Sequence, residues 1–449
     1  MRRMALGLGV GFAFLSGAIP ASGSMERSPF PQARPDDRAA HMVQTSARAP
    51  AVPRIESSPR PPARPAALIE ERPAMTGNAD FDRWIAGFRG RALAEGISPA
   101  TFDRAFADVT RRDDVIRRDG AQAEFVRPIW EYLDITVSEA RIADGRRALR
   151  EHAQLLDRIE AHYGVDREVV VAIWGLESAY GNLRGDTPII DALATLAHDG
   201  RRARFFENQL IGALQIIEAG DVDAAHMLGS WAGAMGHTQF IPTSYLAYAV
   251  DFDGDGRRDI WSDDPTDSLA STAAYLSRHG WTENQPWAVE VRLPGGFDLR
   301  QAGSRRALEA WRAMGVDPVR GVDLPDSGLA RLMFPAGARG PALLAFENFG
   351  VIKRYNSSDS YVIAVGHLAD RLRGGRAFAG DWPRDDRPLT RSEREELQRL
   401  LVARGHDTGG IDGRVGPATV AAVRSWQTAQ GLPADGYVSL NMLERLRRQ

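Results

Sequence analysis

From about position 80 onward, apolar residues recur at helical spacing through most of the chain, and the breaks between runs fall at Gly, Pro and capping residues. The first run opens near Asp80, where Phe81, Trp84, Ile85 and Phe88 share one helix face. Ala148 to Tyr163 is periodic and stops at Gly164. Asp166 stands as the N-cap of a run from Arg167 to Tyr180 that stops at Gly181, and Phe205 to Ile217 stops before Gly220. Between positions 287 and 345 the signals shorten and mix, and the alternation from Ala288 to Leu293 predicts a strand. After a polar stretch from Gly374 to Arg387, helices are expected at Ser392 to Arg404, Pro417 to Gln430 and Ser439 to Arg447. Leu397, Leu400, Leu401, Val420, Val423, Trp426 and Leu443 would form the small core of that module. The fold class predicted is mainly α, of α+β type with small β elements, followed by three helices on a short tether.

The N-terminal part follows other rules. Arg2 and Arg3, the apolar stretch Ala5 to Ile19, Pro20 and the small residues Ala21-Ser22-Gly23 make a secretory signal, with cleavage expected after Gly23. The apolar stretch is short for a membrane span, which needs roughly 20 residues. Residues 24–75 are rich in Pro, Arg, Ala and Ser and poor in aromatics, so they bury too little surface to offset their ordering entropy. The expected organisation is a signal peptide over 1–23, a disordered linker over 24–75, a main domain over 76–375, a second linker over 376–388 and a module over 389–449.

Composition removes several function classes. The net charge of −3 over 449 residues, with Lys353 the only lysine, argues against a nucleic-acid binder. The absence of cysteine excludes disulfides, thiolate metal sites, a Cys nucleophile and an N-terminal lipid anchor.

Three segments carry candidate chemistry. In the run from Arg167 nearly every residue from Val169 to Leu176 is apolar, so Glu177 is expected in a desolvated last turn among Ile173, Trp174 and Tyr180. Desolvation raises a carboxyl pKa and suits it to donate a proton near neutral pH; the alternative is a glutamate fraying into solvent. The segment Gly229 to Tyr245 combines small residues, which let backbone approach a ligand or a neighbouring helix, with Ser230, Gln239 and aromatics suited to a sugar. In Asp251-Phe-Asp253-Gly-Asp255-Gly256 the acids fall at loop positions 1, 3 and 5 with Gly at 6, the spacing of an EF-hand-like calcium loop. Ser262 at position 12 cannot supply the usual bidentate carboxylate, which leaves Asp263, Asp264 or Asp267 to close the site, or a metal-free Asx turn. His162, His198 and His226 show no metal-ligand spacing, and His237 lies inside the Gly-rich segment where another residue type could replace it without altering this chemistry; Trp281 and Trp287 are as suited to packing as to stacking on sugar, and Glu393 to Glu396 reads as a solvated helix face.

Taken together, Glu177-Ser-Ala-Tyr180-Gly181 and, further on, Gly233-Ala-Met-Gly-His-Thr-Gln239-Phe240-Ile-Pro-Thr-Ser-Tyr245 resemble the membrane-bound lytic transglycosylase B family of murein-degrading enzymes. Phe125 to Tyr132, Asp191 to Arg202 and Arg354 to Tyr361 extend the resemblance over roughly residues 80 to 375. The C-terminal segment, with Asp412-Gly413, Gly416-Pro-Ala-Thr and Val423-x-x-Trp426-Gln427, resembles the small three-helix peptidoglycan-binding domain.

The resemblance implies a lysozyme-like catalytic domain acting on peptidoglycan glycan strands in the periplasm. Glu177 would protonate the oxygen between N-acetylmuramic acid and N-acetylglucosamine and then act as base, while the sugar's own C6 hydroxyl attacks C1 and leaves a 1,6-anhydro end. Ser230, Gln239, Phe240, Tyr132, Arg201, Arg202, Tyr275, Tyr355 and Tyr361 would line the glycan cleft. The calcium ligands implied are Asp251, Asp253, Asp255, the Arg257 carbonyl and Asp267, for one structural Ca2+ and no organic cofactor. The mature chain is expected as a monomer without a transmembrane segment, open to cell-wall enzyme complexes. A hydrolytic muramidase would need a second acid such as Asp186 or Asp191 beside Glu177. The alternative from another class is a non-catalytic wall-binding scaffold.

Overall fold

The computed structural model describes residues 78–121 and 127–448. The expected signal peptide and the Pro/Arg-rich stretch lie outside the described residues, as does Phe125. Among the described residues no helix is long and apolar enough to cross a membrane.

The helical body opens with α1 (Ala79–Ala94), α2 (Pro99–Ala105) and α3 (Asp113–Ala121). The Asn78 side chain accepts from the amides of Asp80 and Phe81 and so starts α1, whose buried Phe81, Ile85, Phe88 and Ala92 form the expected face. Then come α4 (Ile129–Thr136), α5 (Glu139–Glu151), α6 (Ala153–Tyr163) and α7 (Arg167–Ser178). The run expected to be one helix from Ala148 to Tyr163 is divided between α5 and α6, because His152 at φ −107° and ψ 21° breaks the ladder. Gly164, at φ 61°, ends α6 as expected.

α7 is buried at every residue from Val169 to Ser178. Asp166 does not cap it: its side chain makes no cap bond and accepts instead from Trp281 Nε1 at 2.8 Å and Arg373 Nη2 at 2.9 Å. The helix also stops earlier than expected, since Ala179 and Tyr180 take left-handed φ of 51° and 59° ahead of Gly181 at 84°. Such a conformation costs a non-glycine residue roughly 1–2 kcal/mol, so the turn persists only because its surroundings hold it.

Beyond α7 the body contains α8 (Ile189–Asp199), α9 (Ala203–Ala219), α10 (Pro242–Tyr248) and α11 (Thr266–Arg278), with β1 (Thr187–Pro188) and β2 (Leu228–Gly229) forming a two-stranded clasp. A five-stranded antiparallel sheet follows, built from β3 (Ala288–Arg292), β4 (Arg305–Ala307), β5 (Asp317–Pro318), β6 (Leu329–Met333) and β8 (Ala342–Ala345) in the order β4-β6-β8-β3-β5. β7 (Pro335–Ala338) lies between β6 and β8 in the chain but outside that sheet. With α12 (Leu308–Ala313) the sheet encloses its own core around Trp311, Leu332 and Leu344. The chain then returns to the helical body through α13 (Glu347–Tyr355) and α14 (Asp359–Leu372), and α14 packs along α7.

The last three helices are α15 (Arg391–Ala403), α16 (Pro417–Ala429) and α17 (Leu440–Arg447). Leu397, Leu401, Val423, Trp426 and Leu443 are buried as expected, while Leu400 and Val420 are only partly so. The polar stretch before them is fastened rather than free, a difference from the expected tether. Its Phe378 stacks on His367 at 4.2 Å, Arg384 makes a bidentate pair with Asp134 at 2.7 and 2.9 Å, and the amides of Ala379 and Gly380 donate to Glu290. The module also meets the rest of the protein directly, the Ala338 amide donating to Asp435 Oδ2 at 2.8 Å. Glu393 is not simply solvated either. It closes a capping box with Thr390 and pairs with Arg387 at 2.7 Å, which holds its carboxyl down at about 2.

Candidate active site

Glu177 lies in the last turn of α7, within its buried stretch from Val169 to Ser178, and is 6% exposed. One oxygen, Oε1, accepts from the hydroxyl of Tyr361 on α14 at 2.6 Å. Burial pushes the carboxyl from 4.5 up to about 8, against the pull of that hydrogen bond, which favours the anion. Burial thus favours the protonated form of the group at neutral pH.

Three phenols surround it. Burial first, and then the charge of Glu177, push Tyr132 of α4, Tyr355 of α13 and Tyr361 above the ordinary tyrosine range, so all three stay neutral hydrogen-bonding groups. Tyr355 donates to the Thr238 carbonyl at 2.5 Å and stands 5.8 Å from the ring of Phe240 and 5.1 Å from that of Tyr275. Tyr275 in turn donates to the Arg354 carbonyl at 2.6 Å. Gln239, Phe240, Tyr275, Arg354 and Tyr355 line one cavity of about 220 Å³. Gln239 is held at φ 56° by bonds from its Nε2 to the carbonyls of Arg184 and Gly236, at 2.9 and 2.8 Å.

Other candidates sit elsewhere or do other work. Ser230 accepts from the Ala234 amide at 3.0 Å and closes its own turn. Arg201 and Arg202 pair with the buried Asp119 of α3 at 3.2 and 2.7 Å, and neither hydrogen-bonds to Glu177 or its tyrosines. Tyr180 does not face Glu177, contrary to expectation: its hydroxyl donates to the Arg141 carbonyl at 2.8 Å, between α5 and α7. The small residues of the second segment serve packing, since a side chain at Gly233 would strike Leu193 and one at Gly236 the Ile260 backbone. Both tryptophans left open between packing and sugar are tied inward, Trp281 to Asp166 and Trp287 to Asp370, each at 2.8 Å.

No second carboxylate among the described residues hydrogen-bonds to Glu177. Asp191 accepts from Thr110 at 2.9 Å, and Asp186 is exposed in a loop.

Residues 80–370 match the family described as the transglycosylase SLT domain. The chain belongs to that family. Residues 390–446 match the putative peptidoglycan binding domain. Membrane-bound lytic murein transglycosylase B of Escherichia coli strain K12 is 37% identical over 302 residues, 64% of this chain and 79% of that protein. SltB3 from Pseudomonas aeruginosa, in complex with NAG-anhNAM-pentapeptide, is similar at 51% identity and a TM-score of 0.79, over 82% of this chain and 100% of that one. Slt35 of Escherichia coli in complex with calcium is similar at 29% identity and a TM-score of 0.55, over 66% of this chain and 93% of that one. The helical body thus has the lysozyme-like fold of SLT domains.

In this SLT domain Asp251, Asp253 and Asp255 bring carboxylate oxygens within 4.8 Å of one another, an all-oxygen donor set that fits a hard divalent cation. Asp267, at the start of α11, lies beneath the loop and accepts from the amides of Phe252 and Asp259 at 2.8 and 2.9 Å. Arg257 donates its own amide to Asp255. Three further residues lie near these groups. Arg141 caps the Gly175 carbonyl near the end of α7, and Lys353 and Asn356 join the lining of the cavity. The signal was present in the flagged stretch around Arg354 and Tyr355, but nothing in it separated lining from packing residues.

Proposed function

We propose that this chain is a lytic transglycosylase that cleaves the bond between N-acetylmuramic acid and N-acetylglucosamine in peptidoglycan. Glu177 gives its proton to the glycosidic oxygen as the C1–O bond breaks and the N-acetylglucosamine 4-hydroxyl departs. The resulting carboxylate takes the proton of the muramic acid C6 hydroxyl while that oxygen bonds to C1, which closes the 1,6-anhydro ring, consumes no water and restores Glu177. An internal nucleophile carries the proximity advantage of an intramolecular reaction, so one carboxyl suffices. The observation that carries this reading is the buried Glu177 at about 8, hydrogen-bonded by Tyr361 and with no acid partner among the described residues.

Gln239, Phe240, Tyr132, Tyr275, Tyr355 and Tyr361 line the glycan cleft in this reading, with Ser230, Arg201 and Arg202 further along it. Asp251, Asp253, Asp255, the Arg257 carbonyl and Asp267 hold one structural calcium, which would neutralise the clustered acids and stiffen their loop. The reading places the protein in the periplasm after removal of residues 1–23, as a monomer whose C-terminal module holds it on the wall.

The test is mass spectrometry of material released when purified residues 76–449 act on peptidoglycan sacculi. Fragments with 1,6-anhydro ends, lost in Glu177→Gln, are expected. Reducing ends heavier by one water would replace the reading with a muramidase, and sedimentation without release would leave a wall-binding protein.

A further inference from the structure

We propose that His237 is a positioning residue for Glu177, gripping the last turn of α7 from the acidic loop through both its ring nitrogens and its carbonyl. The proposal rests on the reading of Glu177 as the acid.

His237 is 3% exposed. Trp174 donates its Nε1 proton to His237 Nδ1 at 3.1 Å, so that nitrogen carries no proton. The ring proton is thereby assigned to Nε2, which lies 2.8 Å from the Ser262 carbonyl. Burial lowers the imidazole pKa and keeps this neutral tautomer, with the Arg184 guanidinium at 3.2 Å acting in the same sense. Arg184 is itself engaged with Asp263 at 2.6 Å and with the Trp261 carbonyl at 3.1 Å.

The backbone of His237 repeats the pattern. Its amide donates to the Ile260 carbonyl at 3.3 Å, and its carbonyl accepts from Ser178 Oγ at 2.5 Å. Trp174 and Ser178 flank Glu177 on the same turn, three residues before it and one after. A side chain at Gly181 would stand 2.6 Å from His237 Nδ1, so the bare α-carbon there is what admits the ring.

The far side of these bonds is the loop between Asp259 and Asp267, where Asp259 Oδ1 accepts the amides of Trp261 and Ser262, and Asp267 accepts the amide of Asp259. One histidine therefore transmits the rigidity of the acidic loop to the end of the helix that carries the acid. Displacements well under 1 Å at a reacting group change rates strongly, and the groups that hold such a residue govern them.

The test uses the full chain, a soluble peptidoglycan-derived oligosaccharide and amide hydrogen exchange. His237→Leu is expected to lower kcat about tenfold with KM within about twofold, the signature of a lost transition-state arrangement. His237→Gln, whose amide can accept from Trp174 and donate to Ser262, should recover kcat to within about threefold of the parent. Exchange over residues 174–181 should quicken in the Leu variant while α14 is unchanged. Should the Leu variant not fold, Trp174→Phe keeps a ring and removes the donor, and reads the same link. A folded Leu or Phe variant with kcat and exchange over 174–181 both unchanged overturns the proposal. Activity surviving in Glu177→Gln would instead strike at the reading of the acid, and the exchange comparison would still decide whether His237 holds that turn.

Discussion

The hydroxyl of Tyr361 donates to Glu177 Oε1 at 2.6 Å and is, among the described residues, the one hydrogen bond that opposes the effect of burial on that carboxyl. Burial wins, at about 8, because a carboxylate with a single donor has lost most of the hydration it enjoys in water. Tyr361→Phe removes the opposing bond, so Glu177 should titrate higher still. The alkaline limb of the pH profile of kcat/KM is expected to move up, with peak activity down about tenfold through lost orientation. A limb that stayed in place or moved down would contradict this account.

The same carboxyl makes stability depend on pH. Its folded value lies above its unfolded one, so its contribution is fully present below 4.5 and is lost as pH rises through about 8. Glu177→Gln, which never ionises, should melt several degrees above the natural protein at pH 8 and level with it near pH 4.5. Calorimetry across that range decides it, and equal melting points at pH 8 would mean the site is wetter than its burial indicates.

Calcium should stabilise the chain through the loop at Asp251, Asp253 and Asp255. A ligand at about 100 times its Kd contributes about 2.7 kcal/mol. Adding the metal to chelated protein should therefore raise Tm by several degrees, and Asp253→Asn should abolish most of that rise. No shift in the natural protein would leave the loop an Asx turn.

Two glycines should respond oppositely to alanine. Gly145 on α5 would press a methyl group into the Tyr180 hydroxyl and a Leu372 methyl 2.6 Å away, whereas nothing lies within 4 Å at Gly90 on α1. Gly145→Ala should destabilise by about 2 kcal/mol. Gly90→Ala should stabilise by about 0.5 kcal/mol, through helix propensity and a less disordered unfolded chain. Denaturant midpoints would expose an error in either sign.

Long apolar runs closed by glycine were readable in the sequence because helix burial and left-handed caps are local properties. α1, α9 and the three C-terminal helices fall where the pattern puts them to within a few residues. Strands of two to five residues carry too few alternations to be seen, and only β3 was. Distant partners overrode local logic at Asp166, where Trp281 and Arg373 claim the side chain that a helix start would have used. At the site, Glu177 was legible from its own helix, but its tyrosines come from α4, α13 and α14 and emerged only through resemblance to a family. His237 was passed over because a lone histidine has no period, and its partner Trp174 lies 63 residues away.

The segment that makes this acid findable spells something other than the reaction. Ser178 reaches for the His237 carbonyl, Tyr180 fills the space between α5 and α7, and Gly181 yields to an imidazole ring. All three describe how the chain turns after Glu177, and none of them faces its carboxyl. A relative could keep that spelling intact after losing Tyr361 or the phenols around it, and would be recognised by the same letters while being chemically silent. Sorting active from inactive members of the family is thus a question for residues such as Tyr132, Tyr355 and Tyr361, which lie outside the segment around Glu177.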